Sequence, residues 1–329
     1  MKKNEFIGID ISKKTLDVAI YEPKSKKYES HFTVENNLSG FKELLKNLKK
    51  EGINTDTAFI CMEYCGIYGM ELGCFLEDKI SFCFCNPLHI KRSMGLTRGK
   101  NDVLDAFQIA KFCYTFRNDL SPQKMPSSQF RKLKFLITER NGIVKNLVKE
   151  KRTLKELKSV MTCDSIKRYS KRLNILEQDK KAVDLEIKSI IDSVDELKNN
   201  YNLLTSIIGI SLVNATMMIL CSNNFKGIDN PRSFACYCGV APFEHTSGTS
   251  IKGKTKVSQY ANKRMKADLT NAARSAVIHD PEIKNYYKRK RDEGKSHGTV
   301  MNAVKFKLIT RAYAVVERGT PYVKLKQVG

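Results

Sequence analysis

The sequence predicts an α/β domain over residues 1–125, a long helical, coiled-coil-like connector over 126–202, and a mostly α-helical domain over 203–329. Three observations predict this order. Up to about residue 118, short β-branched and aromatic runs alternate with stretches of helical periodicity. No glycine lies between Gly142 and Gly209 and no proline between Pro126 and Pro231, so nothing punctuates a Lys- and Glu-rich stretch. Beyond residue 203 helical segments resume, interrupted by one polar, Gly-containing segment.

In the first zone, 6–11, 16–21 and 28–34 read as strands, 38–48 as a helix, 57–63 as a strand, 68–76 as a helix, 80–85 as a strand and 103–116 as a helix. Three strands in hairpin order, then strands separated by helices, predict a mixed sheet with an antiparallel edge and helices on its faces. In the second zone, Leu173, Leu176, Val183, Ile187, Ile190, Val194 and Leu197 form an a/d seam that Lys180 interrupts. A seam needs a partner. Leu133, Leu136, Ile143, Leu147, Leu154 and Leu157 have comparable spacing, so a helical hairpin turning near Cys163 and Asp164 satisfies the seam as well as self-association does. In the third zone, 203–220 reads as two short helices about Gly209, 231–237 as another, and 239–253 as a loop rich in Thr, Ser and Gly. Three further helices are expected over 262–278, 281–291 and 299–316.

Lys and Arg total 58 against 35 Asp and Glu, a formal net charge of +23, which attracts a polyanion along an extended surface. Nucleic acid is the first candidate. No run of about 18 apolar residues exists, and a strand-like segment follows Met1-Lys2-Lys3, so the expectation is a soluble, cytoplasmic protein without a membrane partner. The ten cysteines are scattered without CxxC pairs, which predicts reduced thiols. Cys83/Cys85 and Cys236/Cys238 each lie two apart and would share one face of a strand, with ordinary packing favoured over metal binding.

Three acidic features stand out. Asp10 lies inside the apolar strand Ile7-Gly8-Ile9-Asp10-Ile11, where an unpaired carboxylate is costly unless a cation or hydrogen bonds compensate it. Glu63 closes the apolar strand Ala58-Phe59-Ile60-Cys61-Met62, and parallel neighbours would bring both acids to one edge. In Lys100-Asn101-Asp102-Val103-Leu104-Asp105-Ala106, a spacing of three puts Asp102 and Asp105 on one face of a helix's first turn. Four hard oxygen donors suit Mg²⁺ or Mn²⁺, which polarises phosphates. Taken singly, each acid has an ordinary reading: a helix cap for Asp102, a solvated strand end for Glu63, and for Asp10 the early strand of an actin-like kinase. That kinase reading lacks a second Gly-rich phosphate strand and leaves the charge unexplained.

Downstream, Gly239-Val240-Ala241-Pro242 leads to Ser247-Gly248, a polar segment where a serine hydroxyl could attack a phosphodiester, with His245 nearby. On residues alone, Ser-Gly is ordinary loop chemistry. Around it, Lys252, Lys254, Lys256, Lys263, Arg264 and Lys266 form a basic stretch closed by Asp268. A second run, Lys284, Lys288, Arg289, Lys290, Arg291 and Lys295, includes Tyr286 and Tyr287, and a third, His89, Lys91, Arg92, Arg98 and Lys100, precedes the two aspartates. Phosphate-backbone contact explains their concentration better than scattered solvated faces do.

Gly8-Ile9-Asp10-Ile11-Ser12, Met62-Glu63 with Gly66, Asn86-Pro87 and the Lys100–Ala106 helix start, followed by Ile208-Gly209-Ile210, Ala215, Phe234, Gly239-Val240-Ala241-Pro242 and Ser247-Gly248, resemble the insertion-sequence one-ten transposases, also called bridge-RNA-guided recombinases. The likeness spans nearly the whole chain. It implies a RuvC-like, ribonuclease-H-type N-terminal domain with Asp10, Glu63, Asp102 and Asp105 as metal-binding acids, and Ser247 as a nucleophile giving a phosphoserine–DNA link. It also implies a homo-oligomer, dimer or tetramer, that shares acids and serine between subunits, donor and target DNA as partners, and a structured noncoding guide RNA that selects sequence. Asn101 stands where the family more usually has Thr, and Trp is absent. Two other readings use the same residues: a metal-dependent endonuclease that activates water, and a non-catalytic nucleic-acid-binding protein.

Overall fold

The computed structural model describes residues 4–24, 27–93, 101–160, 164–247 and 251–323, with 27–29, 243–247 and 251–256 described by backbone alone. The chain divides into two compact units, Met1–Pro126 and Ser127–Gly329.

In the first unit, apolar runs buried on both faces build the sheet. The strands β1 (Glu5–Ile11), β2 (Thr15–Glu22) and β3 (Lys27–Glu35) run as an antiparallel meander, followed by α1 (Leu38–Lys50), β4 (Ala58–Glu63), α2 (Met70–Leu76), β5 (Ser81–Cys85), α3 (Pro87–Ser93) and α4 (Asp102–Thr115). The order is β3-β2-β1-β4-β5, with β4 parallel to both β1 and β5, the mixed sheet with an antiparallel edge that the sequence predicts. Alternate residues of β1 serve different cores. Ile7, Ile9 and Ile11 pack with Phe41, Leu44 and Leu72 from α1 and α2, whereas Phe6 packs with Ala106, Ile109 and Phe112 of α4. Asp10 has the parity of Phe6 and so belongs to the α4 face.

The helix α3 is not foreseen in the sequence. Asn86 accepts a hydrogen bond from the backbone N–H of Leu88 (2.9 Å), and Pro87 occupies the first helical position, where its missing N–H is no loss.

In the second unit, α5 (Ser128–Val160) and α6 (Asp164–Asp192) pack antiparallel, as the ion pairs Lys132–Glu186 (2.7 Å) and Lys151–Glu177 (2.8 Å) show. The seam from Leu173 to Ile190 is therefore satisfied within the chain by the hairpin, whereas Val194 and Leu197 fall beyond the end of α6. Its polar interruption has a partner: Lys180 lies 3.1 Å from Asp184, which also accepts from Arg140 across the hairpin. The helices α7 (Asp195–Thr205), α8 (Leu212–Cys221), α9 (Pro231–Tyr237), α10 (Lys263–His279), α11 (Pro281–Asp292) and α12 (His297–Arg318) complete the unit. One core takes Leu136 and Ile187 from the hairpin together with Met218, Phe234, Leu269, Ile283 and Leu308.

Gly209, with φ +97°, turns the chain between α7 and α8, and a Cβ there would lie 2.6 Å from the Ala272 carbonyl oxygen. The segment expected as a Ser- and Gly-rich loop differs from expectation. Phe243–Ser247 (β6) and Ile251–Lys256 (β7) pair as an antiparallel ribbon, with Ser247 opposite Ile251 and Thr246 opposite Lys252. Composition read as loop chemistry hides the cross-strand pairing that supplies the backbone hydrogen bonds. Cys236 and Cys238 lie at the end of α9, not on a strand.

Candidate active site

The acids meet because α4 lies directly on β1. A Cβ on Gly8 would sit 2.2 Å from the Ala106 carbonyl oxygen and 2.2 Å from the Ala110 nitrogen, so glycine on the strand and small residues on the helix permit the contact. Asn101 caps α4 by accepting from the Val103 N–H (3.1 Å), and Asp102 is therefore not needed as the cap. Asp102 and Asp105 occupy the first turn, beside the positive end of the helix dipole.

Asp10, Asp102 and Asp105 consequently present carboxylate oxygens within 4.8 Å of one another. Glu63 ends β4 one step beyond the Ile9–Met62 register pair, as Asp10 stands one step beyond on β1. It lies outside the 4.8 Å cluster, yet its charge reaches Asp10. Burial, then the charges of Asp105, Glu63 and Asp102, push the Asp10 carboxyl up to about 6. Mutual repulsion of this kind is relieved by a cation, and an all-oxygen donor set fits a hard divalent ion.

A fifth acid escapes the sequence reading. Asp17 lies opposite Asp10 on β2 and is buried, but its carboxylate accepts from the Thr33 hydroxyl (2.8 Å) and lies 3.3 Å from His31 Nε2. The signal that singled out Asp10, an acid in an apolar strand, applied to Asp17 as well.

The basic residues fall into different roles. Arg92 is exposed at the end of α3, and Lys263 is exposed at the start of α10. Arg264 is held by Asp268 (3.1 Å) and also donates to Asn141, so its guanidinium is engaged within the fold. His89 packs edge-on against Phe112, with ring centroids 5.0 Å apart. On α11, Lys290 pairs with Glu293 (2.7 Å), and the Tyr287 hydroxyl meets His297 Nδ1 at 2.8 Å. Arg98 and Lys100 lie outside the described residues, and of Ser247, Lys252, Lys254 and Lys256 only the backbone positions on the ribbon are described.

One feature of the second unit carries no clear sequence signal. A cavity of about 760 Å³ is lined by Arg232, Val240, Ala241, Pro242, Lys266 and Asn302, among others. Beside it Lys305 is buried and donates to Asn302 (3.0 Å), and burial, then the charges of Lys266 and Arg274, lower its pKa. These cations come from α9, α10 and α12, and only a helix-face register for Lys305 could have hinted at their convergence.

Residues 7–161 match the profile of a DEDD transposase of IS110 type, described as "Transposase", and residues 201–288 match one described as "Transposase IS116/IS110/IS902 family". The chain belongs to the IS110 family of transposases. The first family profile spans all four carboxylates and the second spans the ribbon, so this transposase carries both candidate catalytic elements within matched sequence. A pilin gene-inverting protein from Moraxella bovis is 28% identical over 97% of this chain and 98% of its own length. The transposase for insertion sequence element IS1533 from Leptospira borgpetersenii is 22% identical over 83% of this chain and 85% of its own. A solved T. thermophilus RuvC in complex with a Holliday junction substrate matches 36% of this chain and 98% of its own, at 12% identity and a TM-score of 0.29. No helix among the described residues is long and apolar enough to cross a membrane.

Proposed function

We propose that this IS110-family transposase cuts and rejoins DNA by transesterification, with Asp10, Glu63, Asp102 and Asp105 holding Mg²⁺ and Ser247 as the attacking group. The observation that carries the reading is the convergence of Asp10, Asp102 and Asp105 within 4.8 Å on the α4 face of the sheet. The strand order β3-β2-β1-β4-β5 supports a RuvC-type, ribonuclease-H-like assignment for the first unit.

The chemistry balances without an energy source. Ser247 Oγ forms a bond to phosphorus and loses its proton, the phosphodiester P–O bond to DNA breaks, and the leaving oxygen takes up a proton. One ester replaces another, so a DNA hydroxyl reverses the exchange on a new strand with no nucleotide hydrolysis. Bound Mg²⁺ or Mn²⁺ would supply Lewis acidity at the scissile phosphate. The four acids position that charge, and Lys266, Arg232 and Lys263 of the second unit hold the DNA backbone. A water-activating nuclease would leave cut ends and needs no serine. The kinship to a protein named for gene inversion supports rejoining instead.

The remaining parts of the reading rest on family likeness: a structured noncoding guide RNA that pairs with donor and target DNA, a dimer or tetramer in which one subunit's acids serve another's Ser247, and action in the cytoplasm. Exposed Phe135, Val148, Ile175 and Leu185 on the helical hairpin favour self-association.

The test is trapping on DNA carrying the element's junction, with the RNA transcribed from its flank and Mg²⁺. A denaturant-resistant protein–DNA adduct is expected from the native chain and none from Ser247→Ala or Asp10→Asn. Undiminished cutting by Ser247→Ala would establish hydrolysis by water.

A further inference from the structure

Beneath the acids, on the same side of the sheet, lies a second cluster of ligating atoms whose chemistry is opposite in kind. Cys61 of β4 and Cys83 of β5 are direct register partners on parallel strands, and Cys85 follows two residues later on the same face. Their sulfurs are 3.5 Å apart from Cys61 to Cys83 and 3.5 Å from Cys83 to Cys85, and all three lie within 4.8 Å of one another. A fourth thiol lies nearby on the helix but outside this group of three: Cys113 of α4 points its sulfur towards the Phe59 carbonyl oxygen (3.5 Å). All four are buried, with exposures of 0%, 2%, 6% and 0% for Cys61, Cys83, Cys85 and Cys113.

Sulfurs arranged tetrahedrally about one ion at a metal–sulfur distance of about 2.3 Å stand about 3.8 Å from one another. The Cys61–Cys83 and Cys83–Cys85 separations are within a few tenths of an ångström of that. A hard ion prefers the carboxylate oxygens above, whereas a thiophilic d¹⁰ ion prefers sulfur, so the two clusters select different metals by donor type alone. Ordinary packing accounts for one buried cysteine, or for two. It does not call for three thiols from two neighbouring strands to gather within 4.8 Å of one another.

We propose that Cys61, Cys83 and Cys85 form a thiolate site for one Zn²⁺-class cation, which staples β4 to β5 beneath the carboxylates. Each thiol that becomes a ligand gives its proton to solvent as the metal–sulfur bond forms. The staple has a consequence for the site above. Cys61 precedes Glu63 by two residues on β4. The proposal stands on these sulfur positions and is independent of the recombination chemistry.

The experiment uses the full chain, reduced and stripped of metal by a chelator, then titrated with Co²⁺ as a visible probe. One equivalent should bind with intense sulfur-to-cobalt absorption, be displaced by stoichiometric Zn²⁺, and resist millimolar Mg²⁺. Cys83→Ser should lose that absorption, and Cys238→Ser, at a buried thiol of the second unit, should keep it. Absence of sulfur-to-cobalt absorption in the native chain overturns the proposal, as does its survival in Cys83→Ser. Should Cys83→Ser fail to fold, X-ray absorption on the Zn²⁺-loaded native protein decides: a shell of three or four sulfurs supports the site, and a shell of nitrogen and oxygen alone overturns it.

Discussion

Gly8 and Ala106 are in such close contact that a single methyl group on the glycine would lie 2.2 Å from the Ala106 carbonyl oxygen. The helix α4 can rest on β1 only because both positions are small, and that seat sets the distance from Asp105 to Asp10. Strand and helix backbones in contact leave no soft side chain to absorb an intrusion.

Replacing Gly8 with Ala should therefore lift α4 and disperse the carboxylates. Overpacking of this kind costs on the order of 2 kcal/mol. Urea denaturation of the variant should show that loss, and Mg²⁺ titration followed by thermal unfolding should show weakened metal stabilisation.

The crowding of Asp10 makes metal-free stability depend on pH. Its folded carboxyl titrates at about 6 against an ordinary 3.8, so protonation favours the folded state. That contribution is complete below about 3.8 and is lost as pH rises through about 6. Asp10→Asn should be more stable than the native chain at pH 7.5 without metal, by about 1 kcal/mol once solvent screening of the half-exposed group is allowed for. The advantage should vanish at pH 4, which calorimetry at both values would show.

Metal should reverse the order of the two. At a Mg²⁺ concentration a hundredfold above its dissociation constant, a site present only in the folded state adds about 2.7 kcal/mol. The native chain should show a higher melting temperature with Mg²⁺ at neutral pH, and Asp10→Asn and Asp105→Asn should not.

The cationic cavity and the basic start of α10 can be separated by what each residue touches. Lys266→Ala and Lys263→Ala should weaken DNA binding at low salt several-fold, and each should lower the slope of log affinity against log salt by about 0.9. Arg264→Ala should act chiefly on stability, because it leaves Asp268, only 6% exposed, without its ion pair. A loss on the order of 2 kcal/mol in urea denaturation, with little change in salt slope, is the expected pattern.

Much of this protein was legible in its residue order. Short β-branched and aromatic runs marked the strands of the sheet, the gap without glycine or proline announced α5 and α6, and an aspartate inside Ile7–Ile11 marked a carboxylate needing a partner. Those signals are local: periodicity and desolvation act on neighbours a few residues apart. The transposase kinship was likewise carried by linear motifs.

Tertiary structure alone decided the rest. That the seam of α6 lies along α5 is carried by cross-hairpin pairs such as Arg140–Asp184 and Lys151–Glu177, which spacing did not specify. That Asp17 would be occupied by Thr33 and His31 while Asp10 joined Asp102 and Asp105 depended on position across one shared face: Thr33 of β3 stands opposite Asp17, and the first turn of α4 brings its aspartates to Asp10. Arg264 and Lys266, two residues apart, parted company for the same reason, one to an internal ion pair and one to a cavity wall. The physical cause is common to all three: a charge takes its role from the groups that folding brings within a few ångströms, and those groups come from distant parts of the chain.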